Sequence, residues 1–169
     1  NHGGAGQTYS VTQVATGKKF AAKFCKDPES KEVELVRKMP KQLVQHPNFI
    51  KYEMIVLDVA DKFPHAAHII FMEHVPNGEL FDFIASPERS VVGRPVSEGT
   101  SRRFLHDIIS GVAECYRCGV THRDLKPENL LLNEEGRIVI IDMDHAKRVK
   151  PVPQAASVDG APPPPVPLE

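Results

Sequence analysis

The sequence predicts an α+β fold, and three observations carry that reading. Residues 1–75 alternate apolar and polar positions between turn signals, as half-buried strands do. Within them SKEVELVRKM sets Val33, Val36 and Met39 on a helical stripe with Leu35 beside it. The later part reads helical and then returns to short strands before a proline-rich end.

The elements follow in order. GQTYSVTQVAT and KKFAAKF alternate around Thr16-Gly17, which predicts a hairpin. KYEMIVLDV and HIIFMEHV read as two more strands. Pro76-Asn77-Gly78 is a strong break. ELFDFI is a short helix, and a linker with Pro87, Gly93 and Pro95 follows. Ser97 is placed to cap TSRRFLHDIISGVAECYR, where Phe104, Leu105, Ile108, Ile109 and Val112 form one apolar face and Gly119 ends the helix. LLLNEEGRIVIID predicts two short strands around Glu135-Gly136. Seven of the fifteen prolines fall in 151–169, four of them consecutive, so 150–169 reads as a polyproline or disordered tail.

Composition narrows the function. The 169 residues suit one ordinary domain or two small lobes. A net charge of -1 gives no electrostatic case for nucleic acid. No apolar stretch is long enough to span a membrane, and the first twenty residues hold four glycines and no apolar signal core. Cys25, Cys115 and Cys118 form an odd set, which suggests a reducing compartment, cytoplasmic or nuclear. Cys115 and Cys118 have CxxC spacing, but no second pair completes a zinc site, so Cys115 reads as a small core residue. The chain begins with Asn1 rather than Met and reads as a fragment.

The chemistry concentrates in THRDLKPENLLL (121–132). Asp124 lies two residues before Lys126 and five before Asn129, and Asp142 follows at the end of IVIID. Phosphoryl transfer asks a protein for this set. It needs a carboxylate to take a proton from a hydroxyl, oxygen ligands for Mg2+, and cations for the phosphates. Asp124 suits the first task, Asn129 and Asp142 the second, Lys126 the third.

HRDLKPEN resembles the catalytic loop of the eukaryotic protein kinases, and IDMDHAKR resembles the segment that follows it there. The Lys after HRDL is the serine/threonine-type variant, and the whole chain is most similar to the calcium/calmodulin-dependent group. The resemblance implies a bilobal kinase-like fold: an N-lobe over 1–75, beginning inside the glycine-rich loop, the hinge exit and upper C-lobe over 76–149, and no lower C-lobe. It implies ATP and Mg2+ as cofactors. It also implies catalytic roles for Asp124, Lys126, Lys23 and Glu32, with Asn129 and Asp142 on the metal.

Other motifs come in the family's order. FAAKF resembles the strand that supplies the phosphate-binding lysine, here Lys23; Glu32 is its expected helix partner, with Glu34 the alternative. IIFMEHVPNGEL resembles the hinge. Met72 would then stand at the back of the pocket, Glu73 and Val75 would offer backbone groups to adenine, and Glu79 would meet the ribose or a basic substrate residue. Ala21 and Leu131 would sandwich the ring. Gly3 and Gly6 fall on the second and third positions of the glycine-rich loop; Asn1 and Thr8 depart from it. The triplet after IVII reads Asp142-Met143-Asp144, where the family has Asp-Phe-Gly. Asp144 adds a negative charge beside the metal position. The tail DGAPPPPVPLE loosely resembles the end of an activation segment, with Ser157 near the usual phosphosite and Arg123 as its partner.

The expectation is a kinase acting on protein Ser or Thr, with basic residues upstream of the target since Glu79 and Glu128 are acidic. The alternative is a pseudokinase or binding module of weak or no activity, acting through a partner, with PPPPVP docked on an aromatic groove.

Overall fold

A computed structural model describes residues 6–86 and 96–150, so Gly3, Ser157 and the proline-rich tail lie outside the described residues. The first hairpin joins β1 (Gln7–Thr12) to β2 (Lys19–Cys25). Its turn closes where Gly17 takes φ +72, a backbone conformation cheap only for glycine, and its N–H donates to Gln13 O at 2.8 Å. β3 (Tyr52–Val56) and β4 (His68–Glu73) complete an antiparallel sheet of order β1-β2-β4-β3. β3 is shorter than KYEMIVLDV suggests; Asp58 turns to φ 54 just beyond it.

Alternation along β2 sorts its side chains. Ala21, Lys23 and Cys25 share one face, and Ala22 and Phe24 the other. The first face meets the main core, where Leu43, Ile70, Ile138 and Ile140 are fully buried. The second is covered by a small cluster of Ala22, Val59, Ala66 and Ile69.

α1 (Lys31–Arg37) starts where Ser30 Oγ accepts from Val33 N at 3.4 Å. It buries Glu32, Val33, Leu35 and Val36, so the expected stripe is present with a carboxylate in it. A short α2 (Lys41–Val44) follows, then α3 (Leu80–Ala85) after the positive-φ Gly78. α4 (Glu98–Arg117) is capped by Ser97, whose Oγ accepts from Thr100 N at 3.2 Å, and Gly119 at φ 67 lies just past its end.

The buried side of α4 holds part of the apolar face expected. Phe104 is buried and Ile108 and Val112 pack against the core as expected, joined by Asp107, Gly111 and Cys115, while Leu105 and Ile109 are more than half exposed. Asp107 turns inward because Arg137 Nε donates to its Oδ2 at 2.8 Å and Ile138 N to the same oxygen at 3.1 Å. An ion pair thus shares the inward side of the helix with the apolar residues.

The remaining chain is short and tightly tied. β5 (Val120–Thr121) pairs with β8 (Lys147–Arg148), and β6 (Leu130–Leu132) with β7 (Ile138–Ile140), both antiparallel. Gly136 at φ 66 allows the turn between β6 and β7. The stretch before β3 docks on β7: Ile140 N donates to Asn48 O at 2.9 Å and Ile50 N to Ile140 O at 3.0 Å. The sheet and the segment carrying Asp142 are therefore held together through backbone bonds.

Candidate active site

A cleft of about 410 Å³ opens between the sheet and the β6–β7 hairpin. Gly6, Ala21, Lys23, Glu32, Met72, Glu73, Val75, Glu79, Asn129, Leu131 and Asp142 all line it. Those residues come from the sheet, from α1, from the stretch after β4 and from the segment around the β6–β7 hairpin. A larger apolar groove of about 990 Å³ lies on the other face of the sheet and holds none of them.

Lys23 is the centre of the site. Its ammonium lies 2.8 Å from Glu32 Oε2, 2.8 Å from Asp142 Oδ1 and 3.1 Å from Asp144 Oδ2. The Glu32 contact is an ion pair without hydrogen-bond alignment. Burial alone would push the Lys23 pKa down, but Glu32, Asp142 and Asp144 together hold it above the ordinary lysine range. Burial pushes Glu32 up, and against the pull of Lys23 a contact with Asp144 pushes it further. Asp144 moves the other way: its burial is outweighed by Glu32 and Lys23. Between Glu32 and Glu34 the structure brings only Glu32 to Lys23; Glu34 is exposed and pairs with Lys38 at 2.6 Å.

Asp124 and Lys126 sit outside that cleft lining, at its mouth. Lys126 Nζ lies 2.7 Å from Asp124 Oδ2. Asn129 Nδ2 donates to Asp124 O at 2.8 Å and to Oδ2 at 3.0 Å. The hydrogen bond from Lys126 and then Asn129 hold the Asp124 pKa below the usual carboxylate range, so it is a charged acceptor at neutral pH. With its amide nitrogen donating, Asn129 has Oδ1 to offer a cation.

His122 fixes this loop from beneath. Its Nδ1 accepts from Asp124 N at 3.3 Å, so Nε2 carries the proton and donates to Ile141 O at 2.8 Å. Ile141 N in turn donates to Asn129 O at 3.0 Å. These bonds lock Asn129 and the residue before Asp142 together. Asp142 itself adopts φ 67 and Arg123 φ 70, conformations that cost energy for non-glycine residues and collect at functional sites. Sequence reading did not single out His122 as an anchor, although its place in HRD is the signal.

Asn129 Oδ1 and the Asp142 carboxylate are hard oxygen donors, the kind Mg2+ takes. At the back, the N–H of Glu73 is donated to Lys51 O at 2.9 Å, so only its carbonyl can serve a base edge. Gly6 is needed where it stands: a Cβ there would come within 1.8 Å of Phe24 O. Near the cleft entrance, slight burial and then Asp82 and Glu128 raise the Glu79 pKa, the sign of an acidic patch. Cys115 is buried and its thiol is pushed up to about 12, as fits a core residue.

The family model for the protein kinase domain matches residues 2–163. The chain belongs to the protein kinase family. Its bilobal order is that of the family: an antiparallel N-lobe sheet with a helix, then the upper part of a C-lobe. Among curated relatives it is similar to the probable serine/threonine-protein kinase MARK-C of Dictyostelium discoideum, 31% identical over 171 residues, 95% of this chain and 20% of that one. It is similar to the SNF1-related protein kinase catalytic subunit alpha KIN12 of Arabidopsis thaliana, 33% identical over 147 residues, 83% of this chain and 27% of that one. The probable serine/threonine-protein kinase MARK-B of Dictyostelium discoideum is 33% identical over 165 residues, 94% of this chain and 21% of that one. The kinase chain thus spans about a fifth to a quarter of the length of these relatives. No helix among its described residues is long and apolar enough to cross a membrane.

Proposed function

We propose that this chain carries the nucleotide and catalytic site of a serine/threonine kinase, moving the ATP γ-phosphoryl group to a protein hydroxyl. The observation that carries the reading is the meeting of Lys23, Glu32, Asn129 and Asp142 in one cleft with Asp124 fixed at its mouth.

Each residue has a task set by its surroundings. Ala21 and Leu131 line the cleft where the adenine lies, with Met72 behind, and the Glu73 carbonyl and the Val75 N–H face the base edge. Gly6 lets backbone come close to the phosphates, and Gly3 extends that loop by resemblance. Lys23, oriented by Glu32, binds the α and β phosphates. Asn129 Oδ1 and Asp142 would hold Mg2+, which neutralises phosphate charge when bound. Asp124 orients the substrate hydroxyl and accepts its proton. Lys126, beside Asp124, balances the charge of the phosphoryl group in transit. Glu79, Asp82 and Glu128 form an acidic entrance suited to Arg or Lys upstream of the target.

The test is phosphate incorporation from Mg-ATP into a basic Ser/Thr peptide by the wild type and by Asp124→Asn. Incorporation lost in the variant while Mg-ATP still binds supports the reading; folded wild type that binds Mg-ATP and transfers nothing removes it. A second reading, a nucleotide-poor kinase-like module, is favoured by one contact, the 3.1 Å bridge from Lys23 to Asp144.

A further inference from the structure

Lys23 has more carboxylates than one ammonium can balance. Glu32, Asp142 and Asp144 each present an oxygen, and these oxygens lie within 4.8 Å of one another. Glu32 orients the lysine from α1, and Asp142 reaches it from the end of β7. Asp144 adds a third contact at 3.1 Å with a side chain about a quarter exposed. Its backbone N–H also donates to Asp142 Oδ1 at 3.4 Å, which holds the segment in place whatever the side chain is.

We propose that Asp144 sets the nucleotide affinity of this site by competing with the phosphates for Lys23. The inference rests on the phosphate-binding role given to Lys23 above. An incoming phosphate needs the same ammonium, and it brings negative charge toward the Asp144 carboxylate at a partly buried position, where repulsion is weakly screened. Binding therefore requires Asp144 to leave Lys23. The cost falls only on ligands with phosphates. Adenosine fills the same cleft and makes no demand on Lys23.

The experiment measures dissociation constants for Mg-ATP and for adenosine by calorimetry, in wild type, Asp144→Asn and Asp144→Gly. The Asn variant keeps size and removes charge; adenosine binding reports that the cleft is folded. The expected result is Mg-ATP binding about tenfold tighter in both variants, ~1.4 kcal/mol, with adenosine unchanged. Equal tightening of both ligands would overturn the proposal, because the effect would then lie in cleft shape. Unchanged Mg-ATP affinity would overturn it too. Weaker Mg-ATP binding in Asp144→Asn would assign Asp144 to the metal instead. If neither ligand binds any variant, the nucleotide reading itself falls; if Mg-ATP binds all three alike, only the role of Asp144 falls.

Discussion

Lys23 on β2 and Asp142 beyond β7 stand 119 residues apart in the chain and meet at 2.8 Å. The contact joins the sheet to the segment that follows the HRDLKPEN loop. It exists because two independent anchors hold its ends. The β2–β4 register opposes Lys23 to Ile70, and the His122–Ile141 bond fixes the backbone next to Asp142.

Removing the lysine should expose the charge imbalance. Lys23→Met leaves Glu32 buried without its cation, yet Glu32 takes up a proton readily. The expected loss is therefore about 1–3 kcal/mol, under the ~3–5 kcal/mol of a broken buried pair. Adding Glu32→Gln should return part of it, as read from urea unfolding midpoints. Equal stability of the single and double variants would show that no uncompensated charge was left.

The acidic entrance predicts a substrate preference. Glu79→Gln with Glu128→Gln should raise KM for a peptide with upstream Arg by roughly threefold to tenfold and leave a neutral peptide unchanged. Steady-state kinetics on the two peptides checks it.

Gly111 tests the packing of α4. Alanine is the better helix former by about 1 kcal/mol. A Cβ at Gly111, however, would lie 2.6 Å from Ile140 Cδ1 and 3.1 Å from Asn48 O. Gly111→Ala should therefore destabilise, by about 1–3 kcal/mol, opposite in sign to propensity. A thermal melt decides between them.

Asp107 predicts an acid limb of stability. Burial works against its ionisation, but Arg137 and the Ile138 N–H outweigh it and hold its pKa low. A folded value below the unfolded one, which is about 3.9, gives stability that is present above that pH and lost as pH falls through the folded value. Asp107→Asn should cost about 2–4 kcal/mol at pH 7 and flatten the loss below about pH 4. Urea midpoints across pH 2–7 measure it.

Much of this was readable in the sequence where local rules act alone. Gly17, Gly78 and Gly136 mark turns that need positive φ; the hairpins fall at Gly17 and Gly136, and α3 begins just after Gly78. The Ser97 cap was equally local. HRDLKPEN marked the loop in which Asp124, Lys126 and Asn129 meet, because its spacing is the geometry. Other features depend on partners far along the chain. Asp107 is buried on α4 against Arg137, thirty residues further along the chain. The two-residue strands β5 and β8 are too short to carry a period. Asp144 was legible as an extra charge, but its grip on Lys23 requires the folded chain.

Phosphate incorporation into a basic Ser/Thr peptide, wild type against Asp124→Asn, tests the central claim most directly. The predicted result is transfer by the wild type that falls by about 10²–10⁴-fold in the variant, with Mg-ATP binding retained. Equal transfer by both proteins would contradict it, as would no transfer from a folded wild type that binds Mg-ATP.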